Sequence, residues 1–165
     1  MHPQYDLFKS WAYSRQEDFF DILSDQYVLY GEWVYAVHTR RYTRLPHYFH
    51  EFDIWDKKRN LFLDTPKRQE ITQLLGLVSV PILYEGTIPS PALGFLQSFL
   101  GKPSCYGDEP LEGLYGKIEA HGETLGRFKF IDPLFTQTVL DSDEHWIHRK
   151  MEVQGLAQGV DLYGT

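Results

Sequence analysis

The sequence predicts an α+β domain with largely antiparallel sheets and packed helices. Three observations predict it. Some segments repeat their apolar residues at helical spacing, while others are short runs rich in aromatic and β-branched residues. The two kinds alternate along the chain. The strand-like runs are joined mostly by short turns, which suits antiparallel pairing better than a doubly wound parallel sheet. The 165 residues fit a single domain, 1–165, long enough to bury a core.

Residues 4–23 read as a helix, because Tyr5, Phe8, Trp11, Ala12, Phe19, Ile22 and Leu23 recur on one face. YVLYGEWVYAV (27–37) reads as a strand interrupted at Gly31 and Glu32, and a glycine there marks a bulge or a close approach to the backbone. HYFHEFDIWD (47–56) reads as a second strand. Strict alternation would put His47, Phe49, Glu51 and Asp53 on one face and Tyr48, His50, Phe52, Ile54 and Asp56 on the other. KKRN turns the chain into a hairpin arm, LFL (61–63). Thr65-Pro66 starts a helix that runs to Gly76, VSVPIL (78–83) is a short strand, and Ser90-Pro91 starts a helix ending near Gly101. EGLYGKIEA (112–120) and TLGRFKFI (124–131) are two strands joined at Gly122. DPLFTQTVL (132–140) reads as helical, and the tail from Gly155 as irregular.

Composition narrows the function. Hydrophobic residues at 42% and aromatics at 16% describe a globular chain. No apolar run approaches the ~18 residues needed to span a bilayer, and MHPQYDLFKSW has neither the basic nor the apolar region of a secretory leader. Cys105 is the single cysteine, so no internal disulfide forms, and it reads as a loop or half-buried thiol. These points favour a cytoplasmic protein with no membrane partner. A net charge of −7 argues against general coating of nucleic acid but not against gripping it at one patch. Arg40, Arg41 and Arg44 form one basic cluster and Lys57, Lys58 and Arg59 another, each also readable as a solvated turn.

Several site types are missing from the sequence: a G-x-x-x-x-G-K-[ST] loop, a G-x-S-x-G elbow, and any Cys/His spacing suited to structural zinc. His145 and His148 lie three apart without a visible third ligand. What remains is charge on strands. Glu32 lies among apolar neighbours in GEW. Glu112 opens a strand beside Gly113, which permits close approach to a ligand. Lys117 follows, with Arg127 and Lys129 on one face of the next strand. Carboxylates can hold Mg²⁺ or sugar hydroxyls and the cations can neutralise phosphates, a combination that suits a nucleotide polyphosphate; ordinary charge on a half-exposed sheet accounts for it as well.

Four of these segments, in order, resemble the RNA ligase family, within the superfamily that also holds DNA ligases and mRNA capping enzymes. LYGEW (29–33) is similar to its acidic strand, FHEFDI (49–54) to F-x-x-F-D-[IV], EGLYGK (112–117) to E-G-x-[VI]-x-K, and RFK (127–129) to [KR]-x-K. DLFKSWA (6–12) and LPHYF (45–49) resemble one bacterial branch, so the likeness spans nearly the whole chain. The resemblance implies a nucleotidyltransferase, ATP-grasp-like ligase domain using ATP and Mg²⁺. Such an enzyme forms a lysyl-AMP, passes AMP to an RNA 5′-phosphate, and seals when a 3′-hydroxyl displaces it. It implies that Phe49 stacks on adenine, that Glu32 contacts the ribose or the reacting 3′ end, and that Glu112 binds the cation. Lys117 and Lys129 then neutralise the α-phosphate as catalytic groups. Arg127 stands where a lysine is usual and keeps the charge with different geometry. Asp53 follows the motif, with a capping or sheet-edge role equally open.

One departure weighs against activity. The family's nucleophile sits in K-x-[DHN]-G, and no such tetrapeptide occurs: Lys9 precedes Ser-Trp-Ala, Lys102 Pro-Ser-Cys and Lys117 Ile-Glu-Ala. The expectation is an N-terminally incomplete domain, the C-terminal part of an adenylyltransferase, that does not self-adenylylate alone. Its N-terminal piece would come from a complementing segment, or an exposed sheet edge would pair in a homodimer. The alternatives are a non-catalytic paralogue that binds nucleotide or RNA ends, and a plain interaction domain.

Overall fold

The structure of the chain is a computed structural model that describes residues 3–133, 135 and 151–164. Its order is α1 (Pro3–Ser14), α2 (Gln16–Leu23), β1 (Tyr27–Trp33), β2 (Phe49–Asp56), β3 (Leu61–Phe62), α3 (Thr65–Leu74), α4 (Ala92–Gln97), β4 (Gly113–Ala120) and β5 (Glu123–Ile131). One antiparallel sheet runs β1-β2-β3, and β4-β5 form an antiparallel hairpin. The α+β class with antiparallel sheets is thus as expected. No helix among the described residues is long and apolar enough to cross a membrane.

The β1–β2 register sets the orientation of everything that follows. Tyr30 pairs with Asp53 but Gly31 pairs with Glu51, so β2 carries one extra residue, Phe52, at a bulge. Gly31 meets both expectations for it. It lies at the bulge, and a Cβ there would overlap the Phe49 ring. The alternation expected for residues 47–56 fails at this point. Paired residues share a face, so Phe49, Glu51 and Ile54 lie with Trp33, Gly31 and Leu29, while His50 and Asp53 lie with Glu32 and Tyr30.

The first of these faces is the core. Trp11 of α1 packs its ring 5.0 Å from Phe49 and 5.7 Å from Trp33, and Phe8 lies 5.3 Å from Trp33. Ile54 is fully buried beneath. Glu51 is buried too, and bonds Arg68 of α3 and the Ser79 hydroxyl, so the charge is paired on the core side.

The helix expected over 4–23 is two helices, broken at Arg15. That side chain is buried, pairs with Asp18 at 2.9 Å and donates to the carbonyl of Leu75, just past the end of α3, where a cation complements the helix dipole. β1 ends at Trp33, short of the expected residue 37, because Ala36 leaves β2 to bridge Val153. Asp64, not Thr65, caps α3, its carboxylate accepting from the Lys67 N–H at 3.1 Å. The segment 78–83 makes only a bridge, Ser79 to Glu51; Pro81 has no N–H to extend it. The helix expected over 132–140 lies almost wholly outside the described residues, and His145 and His148 lie wholly outside.

Candidate functional site

The hairpin β4-β5 docks over the outward face of β1-β2-β3, and three of the polar contacts that seat it lie near its turn. Glu119 accepts from the Thr65 N–H at 3.0 Å and the Thr65 hydroxyl at 2.9 Å, at the N-terminus of α3. Thr124 donates its hydroxyl to the Leu63 carbonyl at 3.0 Å. Asp64 donates its N–H to the Gly122 carbonyl. The turn His121-Gly122 has φ of 55° and 83°, the two positive values that a two-residue hairpin turn requires.

Between the hairpin, the sheet and the segment 80–111 lies an open cleft of about 1230 Å³. Glu32, Tyr42, His50, Phe52, Glu112, Lys117 and Lys129 line it, with Tyr84, Phe95 and Phe99 on the far wall. Four of the six site residues named from the sequence therefore converge here: Glu32, Glu112, Lys117 and Lys129. Arg127 and Phe49 do not. Arg127 crosses from β5 to Asp53 at 3.2 Å and lies 3.8 Å over the Phe62 ring. Phe49 is on the core face, buried under Trp11.

The cleft has an acidic side and a basic side. Glu112 accepts from the Tyr42 hydroxyl at 3.2 Å. Burial pushes its carboxyl above the usual range; Tyr42 and Arg40 draw it back while Glu32 pushes it further up. The Tyr42 phenol is held far above its ordinary value, first by burial and then by Glu112, so it stays a neutral donor. On the basic side, Lys117 lies 2.7 Å from an Asp53 oxygen and donates to the Phe52 carbonyl at 2.6 Å. Burial lowers the Lys117 pKa, and Asp53 opposes that. Lys129 pairs across the hairpin with Tyr115 and is exposed.

The two glycines of EGLYGK have packing roles. A Cβ on Gly113 would overlap the β5 backbone at Phe130, and one on Gly116 would overlap the Phe128 ring. At Gly113 the neighbouring strand comes this close, and the residue also lines the cleft. Of the basic clusters, Arg41 pairs with Glu152 and Arg44 reaches Asp108 at 3.3 Å, while Lys58 and Arg59 are exposed in a turn whose backbone N–H groups donate to Asp56. Cys105 is exposed.

Tyr42, His50 and Phe52 are cleft residues that sequence reasoning left unassigned. Tyr42 stands outside every motif, and its part depends on Gln154, whose side chain accepts from the Tyr42 N–H at 2.7 Å from 112 residues away. Phe52 was legible in principle, as the aromatic beside Asp53 in FHEFDI.

Comparison with known proteins gives one family. Neither the curated proteins nor the solved structures compared with the chain produced a match. The RNA ligase family model matches residues 1–131, which includes all four motif-bearing segments and, among the described residues, every strand. The chain belongs to the RNA ligase family.

Proposed function

We propose that residues 1–165 form one RNA-ligase-type nucleotidyltransferase domain whose cleft binds ATP with Mg²⁺ beside RNA 5′-phosphate and 3′-hydroxyl ends. The convergence of Glu32, Glu112, Lys117 and Lys129 on one cleft carries this reading. Lys117 and Lys129 would neutralise phosphate oxygens. Glu112, held by Tyr42 and near the charge of Glu32, would bind the cation. These residues fit such a group, since two carboxylates and two ammonium groups line the same cleft. Among the described residues, no three His, Cys, Asp or Glu side chains gather to hold a metal by themselves. Mg²⁺ here would take its remaining ligands from phosphate oxygens and water, as it commonly does, and would supply charge neutralisation at the phosphates.

Phe52 is the cleft-lining aromatic within the motif, and Tyr84, Phe95 and Phe99 offer further rings. Adenine stacking therefore falls to the cleft face. The sequence contains no K-x-[DHN]-G, so this polypeptide alone binds nucleotide without forming lysyl-AMP. A complementing segment or partner chain carrying that motif would restore transfer. That absence also favours a second reading, a non-catalytic protein that binds nucleotides or RNA ends.

Intact mass after incubation with ATP and Mg²⁺, run beside calorimetric titration with ATP, tests the proposal. ATP binding without an added AMP is expected. An adduct would overturn the non-adenylylating part, and no binding of ATP or 5′-phosphorylated RNA would overturn the whole. Adding a peptide that contains K-x-[DHN]-G separates the two readings: AMP transfer supports the ligase, and continued inertness with intact binding supports the non-catalytic protein.

A further inference from the structure

Among the described residues, Asp53 is the one carboxylate that pairs with both Lys117 and Arg127 across the gap between sheet and hairpin. Its side chain is 6% exposed. One oxygen takes Lys117 at 2.7 Å; the other takes Arg127 at 3.2 Å and accepts from the Tyr115 hydroxyl at 3.2 Å. Lys117 is 12% exposed yet lines the cleft. Its ammonium is ion-paired with Asp53 and donates to the Phe52 carbonyl, and an ammonium carries three N–H donors, more than the one this carbonyl uses. The bulge at Phe52 brings this carboxylate to the cleft side; without it Asp53 would face the core with Glu51.

We propose that Asp53 is a positioning residue: it fixes the Lys117 ammonium, charged and with one donor directed into the cleft, while its second oxygen keeps Arg127 aside on Phe62. The proposal rests on the reading of the cleft as a nucleotide phosphate site. The charged groups around Lys117 are Asp53 and Glu51 from β2, Arg68 from α3, Glu119 from β4 and Arg127 from β5. Burial and Arg68 disfavour the ammonium, and Asp53 is the strongest of the groups that favour it. Removing the Asp53 charge therefore moves the Lys117 pKa down, and the alkaline limb of phosphate binding moves with it.

The test is competitive acetylation of the full chain with acetic anhydride across the alkaline range, with the Lys117 peptide followed by mass spectrometry. ATP titrations over the same pH values accompany it. In Asp53→Asn the Lys117 pKa should fall by about one unit, a tenfold change in the charged-to-neutral ratio at a given alkaline pH. ATP binding should weaken at alkaline pH and change little at neutral pH, a pH profile that a merely structural role would not produce. An unchanged Lys117 pKa would overturn the proposal, as would ATP binding whose pH profile is that of the unsubstituted chain. If the pKa falls but the unsubstituted chain does not bind ATP, the positioning role stands and the nucleotide reading fails. Should Asp53→Asn not fold, Arg127→Met leaves Lys117 as the one cation paired with this carboxylate, beside the Tyr115 hydroxyl, and should raise the Lys117 pKa; no rise would overturn the assignment.

Discussion

Glu51 and Asp53 are two residues apart on one strand and face opposite sides of the sheet. Glu51 is closed off by Arg68 and Ser79 against the helices, while Asp53 meets Lys117, which lines the cleft, and Arg127 beside it. The same division runs through the aromatic residues of this strand and gives the first prediction.

Phe49→Ala and Phe52→Ala should have different effects. Phe49 is buried against Trp11, so its truncation should cost about 3–5 kcal/mol of stability, read as a lower urea midpoint. Phe52 lines the cleft, so its loss should leave most of the stability and weaken ATP binding by about 1–3 kcal/mol, the worth of one base stacked on a ring. The reverse pattern in paired urea and calorimetric measurements would return the stacking role to Phe49.

Glu119, which also lines the cleft, tests whether its contact with α3 holds the hairpin in place. It contacts Thr65 through both carboxylate oxygens at the start of α3. Glu119→Ala should cost about 1–3 kcal/mol, as for hydrogen bonds to a charged group, and should weaken ATP binding by loosening Lys117 and Lys129 together. Loss of stability with unaltered affinity would mean that the hairpin keeps its place without this contact.

His50 gives stability a pH dependence. It is buried, with a ring nitrogen 2.7 Å from the His47 carbonyl and its ring 5.1 Å from Tyr106. Burial lowers its pKa below the ordinary 6.5. The unfolded chain therefore takes up a proton that the folded chain refuses, and the contribution present above pH 6.5 is lost as pH falls towards the lower folded value. His47, lowered by burial, acts in the same sense, while the raised carboxyls of Glu51 and Glu112 act in the opposite one. The difference between the unsubstituted chain and His50→Gln isolates the term: their urea midpoints should converge as pH falls below 6.5. A constant gap would show that His50 does not titrate with folding.

The elements most legible in the sequence were those whose pattern is local. β2, β4, β5 and α3 fall close to their expected bounds, because aromatic and β-branched runs, the Gly122 turn and the Thr65-Pro66 start are short-range signals. The break at Arg15 was not legible, since its cause is a carbonyl 60 residues away. Nor was the end of β1, set by the return of residues 152–154. For the site, motif order picked out four cleft residues, but strict alternation gave Asp53 the wrong side and left Tyr42 unseen. Side-chain direction after a bulge depends on the partner strand, which a single strand's sequence does not contain.

The extra residue at Phe52 also works as a parity device. Downstream of it, Asp53 and Trp55 share a side with Glu32 and His50; in an uninterrupted ladder they would share one with Glu51. Removing one residue there would leave both halves of β2 as good strand sequence with the same composition. It would nevertheless place the counter-ion of Lys117 among the helices and Ile54 in the water of the cleft. Chain length at this one position thus separates a polar cleft from an apolar core, and homologues that keep every motif residue but differ by one in this interval would be built inside out.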